Sequence, residues 1–479
     1  MSDETRLWIG GAWQPSESGA TVEARSPATG EALGRVAQGT RTDADRAVRA
    51  ANAAAPALAA LSPAERARLC HRIADAIAAR REELARIVTL EQGKPYFAEA
   101  LIEADEAAEC FRLWGEEARR LESAVHPSSD PRKRIVTIRQ PRGVYAIITP
   151  WNWPLTMPAE QLAPALAAGN AVVWVPAPST SLCAVRLAEC LEAAGLPPGA
   201  VNLLTGPGPV VGDAIAAHPD THGVAFTGSI ATGRQVAQRA AGKPVLLELG
   251  GNGPFVVWDD ADLDRAAQAA ALGAFLCAGQ SCSAAERILV HRAIHAPFLE
   301  RLVAAARDIR LGDPFDPATT MGPMNNAAVA DKMERHVADA RARGAKVLHG
   351  GRRAAGFPTP LYWEATVLDG VTPEMAVFRE ETFGPVAPVT AFSDEAELIE
   401  LANQGPYGLV GAVFTRDLGR AFRLAERLRC GVVNVNESTN YWELHVPYGG
   451  VRQSGVGRIG GKYSLWEMTD LKTIVLDVG

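Results

Sequence analysis

A cysteine thiol can attack a carbonyl carbon without a strong base beside it. Cys282 stands among small residues that leave room for a substrate, in the run Gly279-Gln280-Ser281-Cys282-Ser283-Ala284-Ala285. Upstream, Leu247-Glu248-Leu249-Gly250-Gly251 places a carboxylate just before paired glycines, where the chain can approach a site closely. A thiol with a carboxylate base is the pairing that covalent catalysis needs. A lone cysteine also reads as a small buried hydrophobe, so the pair takes its meaning from its company.

Three further runs could serve such a centre. Thr149-Pro150-Trp151-Asn152-Trp153-Pro154 follows a short apolar stretch. It sits where an open α/β sheet binds ligands, and Asn152 offers two side-chain donors there. Phe226-Thr227-Gly228-Ser229, with Gly233 beyond, marks a strand end turning into a helix. Free backbone N–H groups at such a helix start suit a pyrophosphate, although the spacing is not G-x-G-x-x-G and an ordinary N-cap turn reads equally well. Glu380-Glu381-Thr382-Phe383-Gly384-Pro385 sets a carboxylate and an aromatic ring beside a tight turn.

The elements that must position these residues follow from the rhythm of the chain. Residues 42–124 read as helices, with capping boxes at Thr42/Asp45 and Ser62/Glu65 and a break at Gly93 and Pro95. From Val144 short apolar runs appear at 144–148, 171–175, 201–204, 224–226 and 245–249. Helical segments at 158–168, 181–194, 209–217 and 231–241 separate them. Such alternation specifies a parallel sheet covered on both faces, a Rossmann-like open α/β domain. A second alternation, from Phe255 to about Glu437, predicts a second α/β domain with strands at 287–290, 410–414 and 432–435. Isolated alternating runs at 134–139 and 471–478 predict a small sheet outside both, whose open edge invites a partner chain. The expected division is 1–124 with 144–249 for the cofactor domain, 250–462 for the catalytic domain, and 125–143 with 463–479 for oligomerisation strands of a homodimer or homotetramer.

The bulk numbers exclude several classes. The 479 residues exceed one ordinary core. A hydrophobic content of 47% with 22% charged residues describes a globular protein. The net charge of −7 gives no case for nucleic acid, and the short run Arg132-Lys133-Arg134 reads as a solvated strand edge. The first ten residues include Asp3 and Glu4 and have no signal-like apolar core. The longest apolar stretch, 269–279, is too short to span a bilayer. Seven scattered cysteines without a Cys-x-x-Cys pair argue for reduced thiols in the cytoplasm and against a metal site.

Taken together, these runs resemble the aldehyde dehydrogenase superfamily. Its blocks Pro-Trp-Asn-x-Pro, Phe-Thr-Gly-Ser, Leu-Glu-Leu-Gly-Gly, Gly-Gln-x-Cys and Glu-x-Phe-Gly-Pro occur here in order. Pro447-Tyr448-Gly449-Gly450-Val451-Arg452-Gln453-Ser454-Gly455 also matches, and the likeness runs from Trp8-Ile9-Gly10-Gly11 onward. The resemblance implies oxidation of a small-molecule aldehyde with NAD or NADP. Cys282 is then the nucleophile, Glu248 the general base, and Asn152 an oxyanion-hole donor with the backbone N–H of Cys282. It further implies that Trp151, Gly228, Ser229 and Gly233 border the cofactor, that Glu381 holds the nicotinamide ribose, and that Phe383 packs beside it.

The chain also departs from the family. Ala171-Val172-Val173-Trp174-Val175-Pro176-Ala177-Pro178 matches a block that usually ends Lys-Pro-x-Glu and contacts the adenosine ribose. Val175 and Pro178 stand in for the Lys and Glu, which leaves the choice between NAD and NADP open. Glu160 occupies a position where succinate semialdehyde oxidisers of the family tend to carry Arg. It reads as a pocket acid that would repel a substrate carboxylate and attract a cationic or neutral polar aldehyde, or as a solvated helix residue. Trp153, Trp442 and His445 are candidates for an aromatic-lined substrate pocket. Two other functions are compatible with the resemblance: a catalytically weakened member with a structural or binding role, and a relative that passes the acyl group to coenzyme A. The retained Glu248 favours water as the acceptor.

Overall fold

The computed structural model describes residues 4–479. Its largest sheet has eight strands, in the order Gly455–Val456, Val245–Glu248, Gly223–Thr227, Val144–Ile148, Ala171–Val175, Val201–Leu203, Leu7–Ile9 and Ala12–Gln14. The five central strands run parallel, and antiparallel strands close both edges. The apolar runs are continuous because both faces are covered. Val144 and Ala146 enter one core with the helix Arg41–Ala60, while Tyr145 and Ile147 enter the other with the helices Pro63–Ala79, Leu101–Glu117 and Thr156–Ala168.

A second sheet of seven strands has the order Lys346–His349, Thr366–Asp369, Val386–Phe392, Arg287–His291, Pro254–Val257, Val410–Phe414 and Val432–Val435. All its pairs are parallel except the first. It too has a core on each face. The architecture is therefore mixed α/β, with two open parallel sheets. In the larger sheet the chain builds first to one side of Val144–Ile148 and then returns to the other. This creates a switch point at the carboxyl ends of Val144–Ile148 and Gly223–Thr227, the place where such sheets bind ligands.

The expected small sheet forms. Lys133–Pro141 pairs antiparallel along its whole length with Thr469–Asp477. Its third strand, Ala124–His126, lies where helix was expected to end. The basic run lies at this sheet as anticipated, with Lys133 paired to Asp477 and Arg132 to Asp130. One capping box is displaced. Thr40 caps the first helix and Asp43 reciprocates, Asp43 N–H donating to Thr40 Oγ1 at 3.2 Å and Thr40 N–H to Asp43 Oδ2 at 2.9 Å. Asp45, expected in that role, instead faces Arg49 and His218. Ser62 and Glu65 form the second box as read. The antiparallel edge strands Leu7–Ile9, Ala12–Gln14 and Gly455–Val456 were not anticipated: at two or three residues each, they are too short to show a period.

Candidate active site

The helix Leu263–Phe275 breaks into a turn, Leu276–Gly279, in which Cys277 and Ala278 both have φ of 54°. Left-handed backbone at non-glycine residues costs roughly 1–3 kcal/mol apiece and persists only where surroundings enforce it. Four hydrogen bonds do so here. Cys277 N–H donates to Glu99 Oε1 at 3.2 Å, and Gln92 Nε2 donates to Cys277 Sγ at 3.4 Å. Gln280 Nε2 donates to Cys277 O at 2.8 Å, and Asn325 N–H donates to Gln280 Oε1 at 2.8 Å. The turn delivers Cys282 to a cavity of about 220 Å³. On either side of it, Ser281 and Ser283 donate to Asn440 Oδ1 at 3.2 and 2.7 Å, which ties the thiol loop to the 439–442 segment.

Glu248 ends the strand Val245–Glu248 and lines the same cavity. It is buried, and neither carboxyl oxygen has a hydrogen-bond partner. The paired glycines after it explain how the site closes. A Cβ on Gly250 would lie 2.5 Å from Glu381 Oε2, and one on Gly251 would lie 2.0 Å from the carbonyl oxygen of Cys282. Only a chain without side chains can pass between these two groups. The close approach expected from the sequence is thus an approach to the thiol loop and to Glu381.

Burial sets the protonation of both groups. It holds Glu248 well above the carboxylate range, and the nearby Glu160 carboxyl adds to the shift. It also pushes the Cys282 thiol up to about 12, with Glu381, Glu248 and Glu160 adding and Tyr448, whose Oη lies 3.8 Å from Sγ, opposing. The resting thiol is therefore neutral, and the Glu248 carboxyl lining the same cavity also keeps its proton at rest and serves as a base once that proton is lost.

Asn152 follows the strand Val144–Ile148 at the switch point. Its Nδ2 donates to Gln280 O at 3.0 Å, so one amide N–H is held and the second remains to donate. Among the described residues no acceptor takes the backbone N–H of Cys282. Trp153, Glu160 and Trp442 line the cavity. His445 does not: its side chain is 63% exposed, and it borders an outer recess of about 250 Å³ that also includes Trp442.

The residues assigned to a dinucleotide gather at the same end of the sheet. Ser229 caps the helix Ile230–Arg239, accepting from Thr232 N–H, which leaves the first N–H groups of the helix for a phosphate. A Cβ on Gly233 would meet Leu249 Cδ2 at 2.4 Å, so glycine here lets this helix pack down on the sheet. A Cβ on Gly228 would meet the Phe226 ring at 2.6 Å. Glu381 Oε1 accepts from Gly251 N–H at 2.9 Å, and burial holds its carboxyl at about 7. Phe383, at φ of 58°, stands edge-on to Trp151 with 5.5 Å between ring centroids. Buried Glu286 fixes this loop by accepting from Thr382 N–H at 2.7 Å and Phe383 N–H at 2.6 Å. The arrangement suits a dinucleotide, with backbone donors at one end and a carboxylate with an aromatic ring at the other. Val175 is packed inside the core and cannot face a ribose, whereas Pro178 is exposed at the start of a single helical turn.

Several residues of the site were not singled out in the sequence: Tyr448, Glu106, Thr156, Met157 and Asn440. One signal was present. Glu99, Glu103, Glu106 and Cys110 recur at four, three and four residues, a polar stripe on one helical face. Glu103 accepts from Lys94 Nζ at 2.7 Å and from Leu155 N–H at 2.8 Å, so it caps the helix that carries Glu160.

A sequence model described as "Aldehyde dehydrogenase family" matches residues 13–474. The chain is 41% identical over 473 residues to a glutarate-semialdehyde dehydrogenase of Pseudomonas aeruginosa, covering 98% of this chain and 97% of that one. It is 39% identical over 469 residues to the succinate-semialdehyde dehydrogenase [NADP(+)] of Escherichia coli, covering 97% and 96%. A betaine aldehyde dehydrogenase from Staphylococcus aureus, solved in complex with NAD+, superposes with a TM-score of 0.96 at 36% identity, covering 99% of this chain and 95% of that one.

Proposed function

The chain belongs to the aldehyde dehydrogenase family and is an NAD(P)-dependent oxidoreductase of aldehydes; from that premise we propose that Cys282 is its nucleophile and Glu248 its base. The observation that carries this is their convergence on one cavity, with both Glu248 oxygens unpartnered. Cys282 Sγ bonds to the aldehyde carbon as its proton passes to solvent water, either directly or by way of ionised Glu248, which gives the proton up and returns to its ionised form. The oxygen that becomes negative is held by the free N–H of Asn152 Nδ2 and the backbone N–H of Cys282. Donors of this kind are worth about 3–4 kcal/mol each. The nicotinamide, when bound, supplies the hydride acceptor. The acyl group is left on Cys282 as a thioester. Glu248 then takes a proton from water, whose oxygen attacks the acyl carbon, and the carboxylic acid leaves with the thiol restored.

Gly228, Ser229 and Gly233 would seat the pyrophosphate side of the dinucleotide. Glu381, Phe383 and Trp151 would hold its nicotinamide side. The exposed nine-residue strand Thr469–Asp477, carrying Leu471, Val475 and Leu476, offers an edge to a second copy, so the working form is a homo-oligomer. All seven cysteines are unpaired, which suits the cytoplasm.

Cys282→Ala tests the assignment. Reduced nicotinamide absorbance should not rise with any aldehyde, while circular dichroism stays that of the parent. Turnover comparable to the parent's would remove Cys282 from the mechanism.

A further inference from the structure

The residues lining the cavity beside Cys282 include Glu99, Glu106, Glu160 and Glu248, and no Lys, Arg or His. Glu160 is 2% exposed, and its Oε2 has no partner. Such a group is costly to bury and stays in a fold when something meets it. Thr156 and Glu160 share one face of the helix Thr156–Ala168, a single turn apart. Thr156 Oγ1 donates to Glu106 Oε2 at 3.2 Å, so the Glu106 and Glu160 carboxyls face the same stretch of the cavity. Trp153, Trp442 and Tyr448 supply ring surfaces around them, with 6.3 Å between the ring centroids of Trp442 and Tyr448. A buried cation behind Trp153, Lys94, is not part of the lining: its Nζ bonds Glu103 and sits over the indole.

Resting on the proposed reaction, we infer that the substrate is an aldehyde whose far end carries an ammonium group, held between the Glu160 and Glu106 carboxyls and the Trp442 and Tyr448 rings. Carboxyls and aromatic faces together are the chemistry that recognises such a cation. The outer recess shares Glu106 and Trp442 with the cavity and adds Glu109 and Glu443. It is acidic on balance, although His445 lies 3.7 Å from Glu443 and Arg112 lies 3.7 Å from Glu109. It therefore draws a cation toward the inner cavity.

Burial and the neighbouring Glu106 raise Glu160 well above the carboxylate range. Burial and Glu103 raise Glu106 to about 7, with Lys94 opposing. Before a cation binds, Glu160 holds its proton at neutral pH and Glu106 is about half ionised. An arriving ammonium favours their ionised forms, so binding releases protons and tightens as pH rises. The other titratable groups around Glu160 are Cys110 on the helix Leu101–Glu117, and Glu99, Glu248, Tyr448 and Cys282 in the cavity lining, with Arg458 and Glu467 beyond Glu248.

The test compares trimethylammonio-butanal with its carbon isostere, in which a tert-butyl group replaces the trimethylammonium, so that charge is the only difference. In the parent, kcat/KM should favour the cation by about tenfold or more. The preference should grow with pH and shrink with added salt. In Glu160→Gln the ratio should fall toward one. Affinities of the two corresponding alcohols, measured by calorimetry, give the same comparison without turnover. Failure of the chemistry and failure of this assignment are thereby read separately. Equal handling of the isosteres by the parent in both assays, or a preference for succinate semialdehyde over the cation, would overturn the inference.

Discussion

Replacing Gly251 by alanine asks whether the geometry around Cys282 matters as much as its chemistry. The new Cβ would lie 2.0 Å from the Cys282 carbonyl oxygen, where ordinary contact begins at 3.4 Å. The thiol loop or the strand end must therefore move by about 1.4 Å, the difference between those two distances. Overpacking of this kind costs roughly 1–3 kcal/mol of stability. Misplacing a reacting group by about 1 Å costs roughly 10²-fold in rate, or about 2.7 kcal/mol of transition-state stabilisation. The loop cannot yield freely, because Cys277 and Gln280 are tied to Glu99, Gln92 and Asn325. The expected record is a fall in kcat/KM of about two orders of magnitude, with the melting temperature lowered by only a few degrees. The same substitution at Gly208, whose Cβ would meet nothing within 4 Å, should leave both nearly unchanged. Nicotinamide absorbance with a saturating aldehyde series measures the first quantity and thermal denaturation the second. Parent-like kcat/KM in Gly251→Ala would show that the thiol loop tolerates displacement and that the close approach is incidental.

Glu248→Gln should form the acyl-enzyme and hydrolyse it slowly, giving a burst of reduced cofactor of about one per active subunit; steady turnover without a burst would remove Glu248 from deacylation. Because the Glu248 carboxyl is held above its usual range, deacylation in the parent should rise with pH past the ordinary carboxylate range as the base loses its proton. In Glu160→Gln that rise should come at lower pH, since Glu160 is one cause of the shift; an unmoved profile counts against their coupling. Pro178→Glu places a charge at the exposed position where relatives contact the ribose, so it should weaken NADP relative to NAD by tenfold or more in measured Kd, and an unchanged ratio would place the ribose elsewhere. Removing residues from Leu471 onward deletes most of the strand paired with Lys133–Pro141 and should lower the assembly state seen by light scattering; an unchanged mass would refute assembly through this edge.

The sequence by itself determined the reaction class. Ordered blocks around Asn152, Gly228, Glu248, Cys282 and Glu381 are legible because each needs particular residues in a local turn. The alternating runs from Val144 were equally legible, since strands buried on both faces are continuously apolar and have to be separated by helices. Tertiary structure alone decided which of the surrounding residues share the cavity. Glu106 reaches it from a distant helix, because Thr156, one turn from Glu160, holds its carboxyl there. His445, which lies between the lining residues Trp442 and Tyr448 in sequence, falls outside, and Val175 turns into the core. Local pattern reports the period and the turn chemistry of an element. Which groups meet across elements depends on how sheets and helices pack, and that information lies in long-range contacts that no single stretch of sequence contains.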